Sequence, residues 1–292
     1  MNWALTVPLR SALSRAGARW EWAVKHLPRS GRVEAPLPDG RTLVLWSRGD
    51  DWVSNQVFWR GWSGHEPETA PAFRALAAHA GVTLDVGAHV GFYALVAGHA
   101  NPAGRVFAFE PLALACERLR RHVRLNGLAN VECVPVAASD VDGAIAFHVP
   151  TGHPLPCSAG TSAAFHAPWA DAMETTSVAC VTVDAFARAR ALASVDLIKI
   201  DVEGGEPAVL RGAAAVLEQH RPDIVCEVLS ATRAAEELAE ILLPLGYRFY
   251  LLTADGPVRR RRLEPHPRWM NQLFTARPER AESILALDPV QP

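Results

Sequence analysis

Lys199, Asp201 and Glu203 stand at alternate positions in the run Asp196-Leu-Ile-Lys-Ile-Asp-Val-Glu203, among Leu197, Ile198 and Ile200. The apolar residues read as a buried parallel strand, and side chains alternate across a strand, so the three charges fall on one side of it. Charges in such a strand are costly unless they pair, so Lys199 and Asp201 are expected to form an ion pair near the strand's carboxyl end. The pair has two readings, as a structural ion pair or as the charged end of an active site. In the second, Asp201 or Glu203 takes a proton from a bound substrate, while Lys199 steadies the developing charge or orients the carboxylates. Glu206 opens the next helix, where an acid complements the dipole, and is placed behind the site. Glu227 ends the next strand beside the same opening. Asp201, Glu203 and Glu227 thus offer an oxygen set for a divalent cation, a reading ranked below a metal-free site.

A second constellation is Leu84-Asp-Val-Gly-Ala-His-Val-Gly91, which reads as a strand, a glycine turn and a helix start. Gly87 and Gly91 permit a tight turn and close approach of a ligand, and the amides opening the helix can receive a carboxylate. Asp85 stands where a dinucleotide fingerprint has its first glycine, and an acid there would repel a pyrophosphate. It suits a cationic cofactor instead, such as S-adenosylmethionine with its sulfonium and ammonium groups. His89 lies in the same turn. Glu110 follows the strand Val106-Phe-Ala-Phe109 about 20 residues on, where an acid can accept ribose hydroxyls. Ala137-Ala-Ser-Asp140 offers small residues for a flat adenine and polar atoms, from Ser139 and Asp140, for its amine; a plain turn is the other reading.

These residues need a sheet to position them. The expected order is a hairpin over residues 41–62, a helix from Pro67 towards Gly81, then alternating strands and helices. Strands are read at 82–86, 105–109, 131–137, 195–202 and 223–228, with antiparallel pieces at 144–149, 247–252 and 272–275. Helices are read at 91–99, 112–126, with Arg118, Arg120 and Arg121 outward, 206–220 and 232–243. The fold class is α/β, a mixed and mostly parallel sheet with helices on both faces. Residues 1–64 form a helical and hairpin extension, 65–280 the cofactor-binding domain and 281–292 a tail. The segment 150–162 is a candidate substrate lid. His65, His148, His153 and His166 are candidate bases without distinguishing spacing, Trp169 reads as an anchor of the loop, and Trp59 and Trp62 either line a sugar-binding wall or pack the hairpin.

Asp85-Val-Gly-Ala-His-Val-Gly-Phe-Tyr93, Phe109-Glu-Pro111, Asp196-Leu-Ile-Lys-Ile-Asp-Val-Glu-Gly-Gly-Glu206 and Cys226-Glu-Val228 together resemble the FkbM methyltransferase family. Glu66-Pro-Glu68 and Asn271-Gln-Leu-Phe274 also look like family features, so the resemblance covers roughly residues 60–275. It implies a class I, Rossmann-like methyltransferase fold and S-adenosylmethionine-dependent O-methylation of a small hydroxylated acceptor, a sugar, polyketide or other secondary metabolite. His89 departs from the family, where Asn is common.

Composition removes other classes. Hydrophobic residues at 49% and charged residues at 21% suit a globular core, and a formal net charge of -2 gives no field to draw nucleic acid. Arg259 to Arg262 read as a solvated turn or strand end. No apolar stretch spans a bilayer, no signal peptide is evident, and an amphipathic helix at 9–27 is expected to pack on its own domain, ahead of resting on a membrane surface or on a partner such as a second copy of the chain. Five scattered cysteines without a CxxC pair point to reduced thiols in the cytoplasm, and to no zinc. Two rival readings remain, an NAD-linked oxidoreductase and a non-catalytic partner subunit of the same fold.

Overall fold

Apolar runs punctuated by glycine and proline fold, in a computed structural model, as follows; residues 26–152, 155, 159–160, 172–229 and 233–286 are described. Most of the expected helix at 9–27 and of the 150–162 loop, and His153, His166 and Trp169, lie outside the described residues. The chain opens with β1 (Ser30–Pro36), β2 (Thr42–Arg48), α1 (Trp52–Arg60), α2 (Ala70–Ala77), β3 (Val82–Val86), α3 (Phe92–Ala100), β4 (Arg105–Phe109) and α4 (Ala113–Asn126). It continues through β5 (Val131–Val134), β6 (Ala137–Ala138), β7 (Gly143–Pro150), β8 (Met173–Val181), α5 (Val183–Ala189), β9 (Leu197–Ile200), α6 (Glu206–Arg211) and α7 (Ala214–His220). It closes with β10 (Asp223–Glu227), α8 (Ala234–Leu242), β11 (Arg248–Thr253), β12 (Gly256–Arg260), β13 (Asn271–Thr275) and α9 (Pro278–Ile284).

The main sheet has eight strands in the order β12-β11-β13-β10-β9-β3-β4-β5. From β10 to β5 neighbouring strands are parallel, and β13, β11 and β12 add antiparallel pairs at one side. The order jumps from β3 to β9 at the centre, and such a switch point opens a crevice at the strands' carboxyl ends. One face buries Leu84, Ile198, Ile224 and Phe274 against α5 to α8, and the other buries Val225, Leu273 and Tyr250 with α2 and α3. The mixed sheet covered on both faces is the α/β class expected. At its exposed edge, β12 carries Arg259 and Arg260 outward, where charge discourages strand addition.

The β1–β2 hairpin shares this core. Val33, Ala35, Leu43 and Leu45 pack in the same cluster as Phe73 and Leu95. Asn126 accepts from the Val44 amide at 2.9 Å and donates to the Val44 carbonyl at 2.6 Å, while His122 Nε2 accepts from the Trp46 amide at 2.9 Å.

Several expectations need correction. Residues 52–60 are helical rather than strand-like, because the Asp51 carboxylate caps the Val53 and Ser54 amides at 3.0 and 3.3 Å and Val53 and Val57 bury at helical spacing. The hairpin therefore lies at 30–48. Arg118 is buried rather than outward: it pairs with Asp50 and lies over the Trp46 ring. The helix over 206–220 is broken, since Gly212 packs against the Ser139 carbonyl, leaving a Cβ there only 2.0 Å from that oxygen. The thiols are not all reduced. α4 lies over β5 and brings Cys116 and Cys133 into a disulfide across a sequence separation of 17, a proximity that spacing alone does not reveal. Among the described residues, no helix is long and apolar enough to cross a membrane.

Candidate active site

The switch point aligns the two sequence constellations. Asp85 on β3 is in register with Lys199 on β9, which is in turn paired with Val225 on β10, so these side chains face the same layer. Just beyond the strand ends, Gly87 has φ +82 and a Cβ on it would sit 1.8 Å from the Asp201 carbonyl oxygen. Only glycine lets the β3 turn and the β9 turn touch at this point. The cavity above is lined by both turns, by Glu110 to Leu112, by Ala137 and Ala138, and by residues of α1 and α3.

Lys199 is fully buried, and its Nζ donates to Asp201 Oδ2 at 3.1 Å. It also lies 5.0 Å from the centre of the Tyr93 ring, a cation–π arrangement. Burial alone would lower its pKa, but Asp201, Glu66 and Glu227 outweigh that and raise it, so the ammonium stays charged. The Tyr93 hydroxyl donates to Glu66 Oε2, and Asn271 Nδ2 donates to the same oxygen at 2.9 Å. Burial, then Glu66, pushes the Tyr93 phenol well up.

Asp85 is buried with its Oδ2 unpartnered, and burial pushes its carboxyl up to about 7 despite the Lys199 charge. Glu110 is buried too and is pushed by burial to about 7, although its two oxygens accept the His89 and Leu112 amides at 2.8 Å each. Each oxygen keeps a further lone pair. His89 has φ +49, and its buried Nε2 has no partner; burial lowers its pKa. Gly91 has φ +90 and sits against Leu119. Ala137 and Ala138 form cavity wall, but Ser139 and Asp140 turn away from it. Ser139 backs onto Gly212, and Asp140 Oδ2 accepts from Arg211 Nε at 3.1 Å. Of the four residues expected near an adenine, the two alanines line the cavity and Ser139 and Asp140 are not among its lining residues.

Glu206 is fully buried behind the β9 turn, where its Oε1 accepts the Val202 and Gly204 amides at 3.2 and 3.1 Å. It thereby fixes the loop carrying Asp201 and Glu203. The ligand atoms of Asp201, Glu203 and Glu227 lie within 4.8 Å of one another, which matches the oxygen set read from sequence. Burial, then Asp201 and Glu203, pushes the Glu227 carboxyl well up. The site therefore gathers an excess of carboxyl groups around Lys199, and a cationic ligand relieves that imbalance.

A family profile described as Methyltransferase FkbM domain matches residues 85–249, more than half of the 292-residue chain. The chain belongs to the FkbM methyltransferase family. Similar solved structures include an FkbM methyltransferase from Methylobacillus flagellatus KT, at 18% identity and a TM-score of 0.41 over 66% of this chain. The chain spans 42% of that protein's length. TYW2 from M. jannaschii, solved with AdoMet, matches at 14% identity and a TM-score of 0.43, over 85% of this chain and 86% of its own. The O-methyltransferase TomG from Streptomyces achromogenes, solved with SAM, matches at 11% identity and 0.42, over 72% and 80%. No curated protein matches the chain.

The FkbM segment does not contain the whole cavity. Glu66 and Asn271, 205 residues apart, meet beside Tyr93, and Trp52 and Val53 at the start of α1 form another wall. Of these only the sequence pieces around Glu66 and Asn271 stood out as motifs, and their convergence carried no sequence signal. Trp52 is missed outright because its segment reads as strand. His65 reaches the cavity, where its Nδ1 meets Gln56 Oε1 at 2.8 Å and its ring abuts Phe92. His148 is not among the cavity-lining residues; it is half-buried and its Nδ1 meets Thr175 Oγ1 at 3.0 Å. Trp59 packs in the core.

Proposed function

We propose that this FkbM-family chain is an S-adenosylmethionine-dependent O-methyltransferase acting on a hydroxyl of a small molecule of the sugar, polyketide or secondary-metabolite kind. The observation that carries this reading is the buried, half-partnered carboxyl of Asp85 at the mouth of the glycine turn. An acid held there attracts a cationic cofactor and repels a pyrophosphate, which disfavours a nicotinamide dinucleotide.

The remaining residues fit the same group. Gly87, His89 and Gly91 leave the turn open, and Glu110 retains lone pairs for ribose hydroxyls while holding the turn through the His89 amide. Ala137 and Ala138 give a flat, small-residue wall for a base. The cofactor supplies an electrophilic methyl group on a sulfonium. Asp201 or Glu203 accepts the proton of the acceptor hydroxyl, and Lys199 keeps the Asp201 carboxylate oriented through its 3.1 Å hydrogen bond. Glu206 and the Gly87 contact hold that loop in place, so the base need not be reordered on each turnover.

Isothermal titration with S-adenosylmethionine and S-adenosylhomocysteine tests the reading. Binding to both, weakened in Asp85→Asn more for the cationic ligand than for the neutral thioether, is expected. Absence of binding to either ligand would refute it.

A further inference from the structure

Glu227 is 6% exposed at the end of β10, yet its Oε2 has no hydrogen-bond partner. Asn271, its register partner on β13, is 3% exposed and likewise leaves Oδ1 without a partner. Buried polar oxygens are ordinarily satisfied, and the unpartnered Oε2 of Glu227, which lines the cavity, leaves a position for an electropositive partner. Asp201, Glu203 and Glu227 bring ligand oxygens within 4.8 Å of one another. Oxygens around one octahedral magnesium stand about 3 to 4 Å apart, so small side-chain rotations close this set on a single hard cation.

Charge points the same way. The Lys199 ammonium donates to Asp201 Oδ2, while Glu66, Asp85, Glu203 and Glu227 also line the cavity. Carboxyl groups outnumber the one ammonium there, and carboxylate oxygen is the ligand chemistry of magnesium, manganese and calcium rather than zinc or copper. The ligands stand on short, fixed segments. Asp201 and Glu203 lie on the turn tied by Glu206, and Glu227 ends a buried central strand.

We propose that Asp201, Glu203 and Glu227 form a binding site for one hard divalent cation of the magnesium or manganese class. Binding does not depend on the methyltransferase reading; its use does. Within that reading, the cation lowers the pKa of an acceptor hydroxyl, which favours acceptors offering two adjacent oxygens.

The test uses the full chain, stripped with EDTA and desalted, with no cofactor added. Manganese is titrated in while the signal of the free ion is followed by electron paramagnetic resonance, with magnesium as competitor. One saturable equivalent per chain is expected, displaced by magnesium, and weakened about tenfold or more in Glu227→Gln and in Glu203→Gln because each removes one of three charged ligands. Thermal melts confirm that each variant is folded; Glu203 is half-exposed, so Glu203→Gln decides the matter if Glu227→Gln does not fold. No saturable manganese binding, or binding unchanged in the folded variants, overturns the site. A chain that binds manganese but no S-adenosylmethionine keeps the site and loses the cofactor reading instead.

Discussion

Replacing Asp85 by Asn is expected to raise the stability of the ligand-free protein, and to raise it more at pH 8 than at pH 6. Burial lifts the Asp85 carboxyl from its ordinary 3.8 to about 7. The unfolded chain releases this proton near pH 4 and the folded chain only near pH 7. Between those values the folded state binds more protons, so its stability falls as pH rises through the window and levels off above it. The difference of about 3 pH units corresponds to about 4 kcal/mol lost by pH 8, of which about 1 kcal/mol returns on going down to pH 6. His89 and His122, both lowered by burial, act in the opposite direction as pH falls below their ordinary 6.5. The wild-type profile therefore mixes opposing contributions. The difference between wild type and Asp85→Asn removes them, since both proteins carry the histidines. Calorimetry across pH 6 to 8 should show the variant melting higher, with a gap that widens by about 1 kcal/mol, or roughly 2–4 °C, towards pH 8. A gap that stays constant or narrows would refute a buried carboxyl titrating near 7.

Two further substitutions probe the turns that hold the site. Gly87→Ala puts a Cβ 1.8 Å from the Asp201 carbonyl at a φ of +82, so one turn must shift by more than an ångström. A loss of about 1–3 kcal/mol in urea unfolding is expected, together with weakened S-adenosylmethionine binding in titration; wild-type values for both would contradict the described contact. At Glu206, alanine removes the acceptor of two amides and should cost about 1–3 kcal/mol in the same unfolding assay. Glutamine keeps an oxygen there, and because burial already pushes the carboxyl up, Glu206→Gln should melt close to wild type; equal loss in both variants would show that the charge matters instead.

The central strands are legible because buried parallel strands are written as uninterrupted apolar runs, and β3 and β4 fall where the sequence puts them. The Asp51-to-Arg60 segment misleads because its apolar residues fit either period over so short a stretch; the deciding signal is the Asp51 cap. Ser139 and Asp140 are placed by contacts that spacing does not show. Their polarity suits a ligand, but Arg211 and the Gly212 turn, about 70 residues away, claim them first.

By itself the sequence determined the α/β class, the glycine turn with its acid, and the alternation that sets Lys199 and Asp201 on one side of a strand, because each is a property of neighbouring residues. The tertiary structure alone decided that Asp85 and Lys199 share a register, that Glu66 and Asn271 meet across 205 residues beside Tyr93, and that Cys116 faces Cys133. Those outcomes depend on strand order at the switch point and on helix packing, and side chains brought together by crossover connections leave no periodicity in the chain to read.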